Sequence, residues 1–170
     1  MHLQYHDLTI RSALPSDAPQ LVRWWNDGAV MAHAGFPLGL GTTVEKEAAR
    51  LPSPGRLMLE YKSQPIGEMN WRDVGENAAE IGIKICESIF QEQGLGRIYL
   101  RLLIKELFAR GFARIVLDTN LNNTRAQHVY EKLGFRKVAI RENSWHDQLG
   151  NPQSAVDYAL TPENFRNFAL

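Results

Sequence analysis

The stretch Gln91-Glu92-Gln93-Gly94-Leu95-Gly96-Arg97 sits between two apolar segments, and its reading decides the fold. Upstream, Glu80-Ile81-Gly82-Ile83-Lys84-Ile85-Cys86 alternates, placing Ile81, Ile83 and Ile85 on one face of an expected strand. Downstream, Ile98, Leu102, Ile104, Lys105 and Phe108 follow helical spacing. Two glycines at a helix start let backbone come close to a ligand, and the first N–H groups of that helix have no partner within it. Such a turn suits an anion, above all a phosphate or pyrophosphate. A turn that uses glycine for geometry alone is the other reading of the spacing. A dinucleotide fingerprint needs a third glycine where Tyr99 stands, and no Lys-Ser or Lys-Thr pair follows Gly96 as a nucleotide P-loop requires.

A second segment narrows the choice. From Leu117 the chain reads L-D-T-N-L-N-N-T-R-A-Q-H-V-Y-E-K-L-G-F-R-K-V. The pattern Gln91-x-x-Gly94-x-Gly96, followed by Asn123-x-x-Ala126-x-x-x-Tyr130-Glu131-Lys132-x-Gly134-Phe135, resembles the GNAT superfamily of acetyl-coenzyme A-dependent N-acetyltransferases. The resemblance is close over residues 56 to 140 and looser at both ends, where the outline is similar to the branch acting on protein N-termini, polyamines or aminoglycosides.

The chain's 170 residues suffice for one domain with its own core, expected to span residues 1–170. It is 44% apolar and 22% charged, an ordinary balance for a globular protein. Nineteen basic residues match nineteen acidic ones, which argues against a nucleic-acid or membrane-surface partner. No apolar run is long enough to span a bilayer, and Met1-His2-Leu3-Gln4 does not open a signal peptide, so a cytoplasmic location is expected. The single cysteine, Cys86, excludes an internal disulfide.

Along the chain, His6 to Ser12 reads as a first strand. Ser16 caps a helix through Leu21, Val22, Trp24 and Trp25 that Gly28 ends, and residues 31–41 form a glycine-rich loop. Thr42 or Thr43 caps a short helix to about Leu51. Residues 56–62, 66–73 and 78–87 read as antiparallel strands. A helix follows from about Gly94 to Arg110, then a strand at 113–119, a helix at 123–133 and two strands at 136–145 and 154–160. The expected fold is α/β of mixed type: a mostly antiparallel sheet of about seven strands, splayed in the middle, with helices on both faces, as in GNAT proteins.

The resemblance implies roles for individual residues. Gln91, Glu92, Gln93, Gly94, Leu95, Gly96 and Arg97 would hold the pyrophosphate of acetyl-coenzyme A, and Asn123 and Ala126 would meet its pantetheine arm. Arg97 is the only cation in the loop, and the acidic Glu92 implies weaker cofactor affinity. A bulge would splay the strand before the loop, so that Lys84, Ile85 and Cys86 offer backbone groups to the arm and the acetyl carbonyl. Cys86 reads as a small buried hydrophobe. Tyr130 would protonate the departing thiolate. Glu68 and Glu80 are the candidate bases, with Asn70 as a water holder, and a water relay is the alternative. Trp24, Trp25 and Asp27 suit an ammonium group by cation–π and ion-pair contact, and Phe36 could line the same pocket. His33, Trp71, Trp145 and His146 are further candidates for it. No metal is called for, and a homodimer is compatible with the family. The implied activity is direct acetyl transfer to a primary amine of a protein N-terminus, polyamine, aminoglycoside or other small molecule. The competing reading is a non-catalytic acyl-coenzyme A sensor.

Overall fold

The computed structural model describes residues 1–167, and in it the chain opens with a hairpin instead of one strand. β1 (His2–Tyr5) and β2 (Leu8–Ser12) pair antiparallel around His6 and Asp7. His6, read from sequence as a strand residue, takes a left-handed backbone with φ 50° and turns the chain. This hairpin raises the strand count to eight.

A 3-10 turn at Pro15–Asp17 leads into α1 (Ala18–Trp25), but Ser16 does not cap it. The carboxylate of Asp17 turns back instead, accepting from the Leu14 N–H at 2.8 Å and from the Arg11 guanidinium at 2.7 and 2.8 Å. Gly28 also differs from expectation: it opens α2 (Gly28–Met31), which Asp27 caps by accepting from the Ala29 N–H at 2.8 Å. The glycine is needed for proximity, since a Cβ there would lie 2.0 Å from the Pro37 carbonyl oxygen. α3 (Val44–Ala48) starts at Thr43, whose hydroxyl accepts from the Lys46 N–H.

The central elements follow the sequence reading within a few residues. β3 (Arg56–Tyr61) and β4 (Gln64–Asp73) form a hairpin whose turn residues, Lys62 and Ser63, both have positive φ. β5 (Ala78–Ile85) leads through the glycine loop into α4 (Leu95–Ala109). β6 (Arg114–Asn120), α5 (Thr124–Leu133), β7 (Arg136–His146) and β8 (Pro152–Leu160) complete the order. Gly134, at φ 101°, closes α5 in the left-handed conformation.

One sheet runs β1-β2-β3-β4-β5-β6-β8-β7, antiparallel at every pair except the parallel β5–β6. That pair joins only Ala78–Glu80 with Arg114–Val116, after which the strands part. α4 and α5 cover one face, burying Tyr99, Leu100, Leu103, Leu107, Tyr130 and Leu133 against Met69, Ile81, Ile115 and Leu117. The opposite face carries a second cluster of Leu21, Trp24, Trp25, Met31, Met58 and Cys86. Isoleucines at odd positions of β5 therefore face α4, and Cys86 faces α1, as strand alternation requires. No helix among the described residues is long and apolar enough to cross a membrane.

Candidate functional site

The glycine loop gives the site its first chemical feature. Glu92 and Gly94 have positive φ, 61° and 77°, so the chain reverses just before α4. Among the described residues, the backbone N–H groups of Glu92 to Gly96 donate to nothing, and the first bond of the helix is from Arg97 N–H to Gly94 O at 3.2 Å. Successive unpaired N–H groups at the positive end of a fifteen-residue helix form an anion cradle. A Cβ at Gly94 would meet nothing within 4 Å, so the space beside it is open. Glu92 does not face into this cradle as a free charge; it pairs with Arg125 of α5 at 3.0 Å. Gln91 turns inward, its amide donating to the Ile85 carbonyl at 2.9 Å.

The parting of β5 from β6 supplies the second feature. The Cys86 and Glu87 N–H groups both donate to the Ile66 carbonyl, at 2.9 and 3.1 Å, which makes a bulge at the end of β5. Counting back along the antiparallel register, Lys84 pairs with Glu68, while the backbone groups of Ile83 and Ile85 turn toward the gap. This corrects the sequence reading at two of three positions: Lys84 and Cys86 have their N–H groups committed to β4, and Ile85 keeps its own. With the Ile85 carbonyl taken by Gln91, its N–H is the donor that faces the gap.

Tyr130 is carried by α5. Its ring is buried edge-on against Phe135 and Tyr158, each 5.8 Å away between centroids. Its hydroxyl has no hydrogen bond among the described residues. Burial, and then the charge of Asp118, push the phenol up to about 12. It therefore carries its proton at neutral pH. Asn123 caps α5 by accepting from the Ala126 N–H at 3.2 Å, which fixes the helix that carries Tyr130. The Cys86 thiol, buried and pushed well above its ordinary range first by desolvation and then by the Glu68 charge, stays protonated and is no nucleophile at neutral pH.

On the opposite face a cavity of about 420 Å³ opens between α1, α2, α3, the start of β3 and the middle of β4. Trp25, Met31, Glu47, Arg50, Arg56 and Glu68 are among its walls. The buried Glu68 accepts from Trp25 Nε1 at 2.7 Å and from the Arg56 guanidinium at 2.6 Å, and Arg56 also covers the Trp25 ring at 5.0 Å. The loop roofing this side is held from the β7–β8 turn: Gln148 accepts from Leu38 N–H and donates to the Gly39 carbonyl, both at 2.9 Å. Trp145 packs against Gly35 so closely that a Cβ there would fall 2.4 Å from its ring.

Several residues expected near an acceptor are engaged in other contacts or lie off the cavity wall. Trp24 is fully buried in the core, its indole N–H on Glu87 at 2.7 Å, and presents no face to a ligand. Asp27 caps α2 with one carboxylate oxygen and stays exposed. Trp71 packs on Phe112 on the α4 side of the sheet. Glu80 lies where β5 and β6 part, with both oxygens on Arg72 at 3.1 and 2.9 Å. Asn70 is exposed on β4 beside Gly82, and Phe36 packs half-buried on the second core cluster. Sequence reasoning missed Arg56, Gln148 and the Arg141 guanidinium, which bridges Asp118 and Asp157 at 2.9 and 2.7 Å. Their partners are too distant in sequence to leave a pattern.

A split sheet with a helix-mouth anion cradle at its open end is the arrangement of an acetyltransferase fold. The family model for an acetyltransferase (GNAT) domain matches residues 7–136, and this chain belongs to that family. A ribosomal protein bS18-alanine N-acetyltransferase from Haemophilus ducreyi is 38% identical over 71 residues, 42% of this chain and 49% of that protein. The chain thus spans about half the length of the curated relatives it matches. Among solved structures, a GNAT-family acetyltransferase from Bacillus anthracis aligns with a TM-score of 0.83 at 18% identity, over 96% of this chain and 99% of that one. Spermidine N-acetyltransferase from Vibrio cholerae, solved with CoA and spermine, aligns with a TM-score of 0.81 at 18% identity, over 94% and 98%. At such identities these likenesses speak for the fold.

Proposed function

We propose that this chain is an N-acetyltransferase that moves the acetyl group of acetyl-coenzyme A directly to a primary amine. One observation carries the reading: the N–H groups of Glu92 to Gly96, unpaired among the described residues, open α4 directly after β5, the strand that parts from β6. The cradle and the open space at Gly94 fit a pyrophosphate. Acetyl-coenzyme A supplies a thioester carbonyl for attack.

The chain's own residues then have distinct tasks. The cradle and the α4 dipole hold the diphosphate. The Ile85 N–H is the donor suited to the carbonyl oxygen as it gains charge. The amine nitrogen forms its bond to the carbonyl carbon as the C–S bond breaks, and Tyr130 gives its proton to the sulfur. The phenolate then recovers a proton from solvent. The nitrogen sheds its extra proton to water, because neither Glu68 nor Glu80 keeps an oxygen free of a partner. Both carboxylates act here as ion-pair partners that shape the surroundings. The domain is taken as a single unit over residues 1–170, of which 168–170 lie outside the described residues.

Coenzyme A release from acetyl-coenzyme A over a panel of amines tests this reading, alongside thermal shift with coenzyme A. Turnover with at least one amine is expected. Cofactor-induced stabilisation with no turnover on any amine would favour the acyl-coenzyme A sensor instead.

A further inference from the structure

We infer that the acceptor carries an anionic group beside its amine, a carboxylate that docks in the cavity between α1, α3 and β4. The inference rests on the acyl-transfer reading above and narrows its substrate class. The cavity walls include three cations, Lys46, Arg50 and Arg56, and two carboxylates, Glu47 and Glu68. Both carboxylates are already engaged. Glu68 is held by Trp25 and Arg56. The buried Glu47 accepts from the Thr42 hydroxyl at 2.5 Å and from Arg50 at 3.3 Å. Lys46, in contrast, has no carboxylate within ion-pair distance among the described residues.

Lys84 is a second cation with no carboxylate within ion-pair distance among the described residues. It stands across from Glu68 in the β4–β5 register without reaching it as an ion pair, and its ammonium lies 2.9 Å from the sulfur of Met31, a cavity wall residue. A thioether is a poor acceptor, so most of the hydrogen-bonding capacity of that half-buried ammonium is unmet. Arg56 already occupies the face of Trp25, the one aromatic ring in the wall on which an ammonium group could otherwise stack. A polyamine would therefore bring more positive charge to a cavity with no spare carboxylate. A carboxylate would instead meet Lys46 on the wall, with Lys84 in contact with the wall residue Met31. An amino acid offers one on its own α-carbon, and a peptide offers one on an acidic side chain near its N-terminus.

Matched acceptors separate these sources. Initial rates of coenzyme A release are measured for glycine against glycinamide, and for Ala-Asp-Ala-Ala amide against Ala-Asn-Ala-Ala amide, with spermidine as the cationic comparison. Each rate is corrected for the fraction of free amine. The acid member of at least one pair should exceed its amide in kcat/KM by about tenfold, the ratio one charged hydrogen bond supplies. The pair that shows the ratio identifies the source. K84M and K46M should shrink it, and because each ratio is taken within one protein, partial misfolding cancels. Ratios near one in both pairs, or spermidine turned over faster than both acids, would overturn the inference while leaving acetyl transfer intact. Absence of turnover on every acceptor would instead remove the acyl-transfer reading and this inference with it.

Discussion

Trp25 Nε1 lies 2.7 Å from a carboxylate oxygen of Glu68, tying α1 to β4 at the edge of the cavity. Arg56 holds the second oxygen at 2.6 Å, so the carboxylate joins three elements in one buried contact. Glu68→Ala leaves a guanidinium and an indole N–H without a partner. It is expected to cost about 3 kcal/mol, measured by urea unfolding. Glu68→Gln keeps an acceptor for Trp25 and should cost less. If Glu68 is an ion-pair partner, Glu68→Gln lowers kcat by under about tenfold, whereas loss of a general base would cost about a hundredfold or more.

Tyr130→Phe separates chemistry from packing. Because the hydroxyl has no partner among the described residues, its removal should leave stability nearly unchanged. Turnover is expected to fall about a hundredfold or more, with coenzyme A affinity within about twofold. Unchanged turnover would remove the phenol from the mechanism.

The same phenol sets an expectation for pH. Burial first, and Asp118 second, raise it to about 12, so it remains protonated well beyond neutrality. A kcat profile should show no loss from this group between about pH 7 and about pH 10, the ordinary phenol range. For stability, a raised folded value means a contribution fully present below about pH 10 and lost as pH climbs toward about 12.

Gly94→Glu tests the cradle. Its φ of 77° makes any side chain strained, and about 1–2 kcal/mol of stability should be lost. The larger effect is on the ligand, because the new carboxylate enters the open space beside the unpaired N–H groups. Coenzyme A should no longer raise the melting temperature, whereas Gly94→Ala should retain part of that shift.

Arg11 reports on the other end of the sheet. Burial alone would raise the Asp17 carboxyl, but the Arg11 guanidinium and the Leu14 N–H overcome it and hold the group below the usual carboxylate range. This contribution is present above about pH 4 and lost as pH falls through the lowered value. Arg11→Met strands Asp17 and Glu60 together and is expected to cost about 3 kcal/mol near neutrality, shrinking on acidification. Acid titration of unfolding free energy for both proteins checks the sign.

Much of the cofactor side could be read before any coordinates because its demands are local. Gly94 needs a left-handed φ, Asn123 caps the helix three residues before Ala126, and Gly134 stops that helix. Each is a backbone requirement met within one turn, so residue type and spacing record it. The first hairpin escaped because its turn, His6-Asp7, holds no glycine to mark the left-handed residue.

The sequence by itself determined the family outline, the glycine loop and the placing of Tyr130 seven residues after Asn123. Only the tertiary structure decided the cavity side. Trp25 meets Glu68 across 43 residues, Trp24 meets Glu87 across 63, and Leu38 meets Gln148 across 110. Those pairings arise when strands take their neighbours and bury apolar faces, a long-range outcome that no local pattern of side chains encodes. The same folding step buried Trp24, spent one oxygen of Asp27 on a helix cap and set the Lys84 ammonium against a thioether.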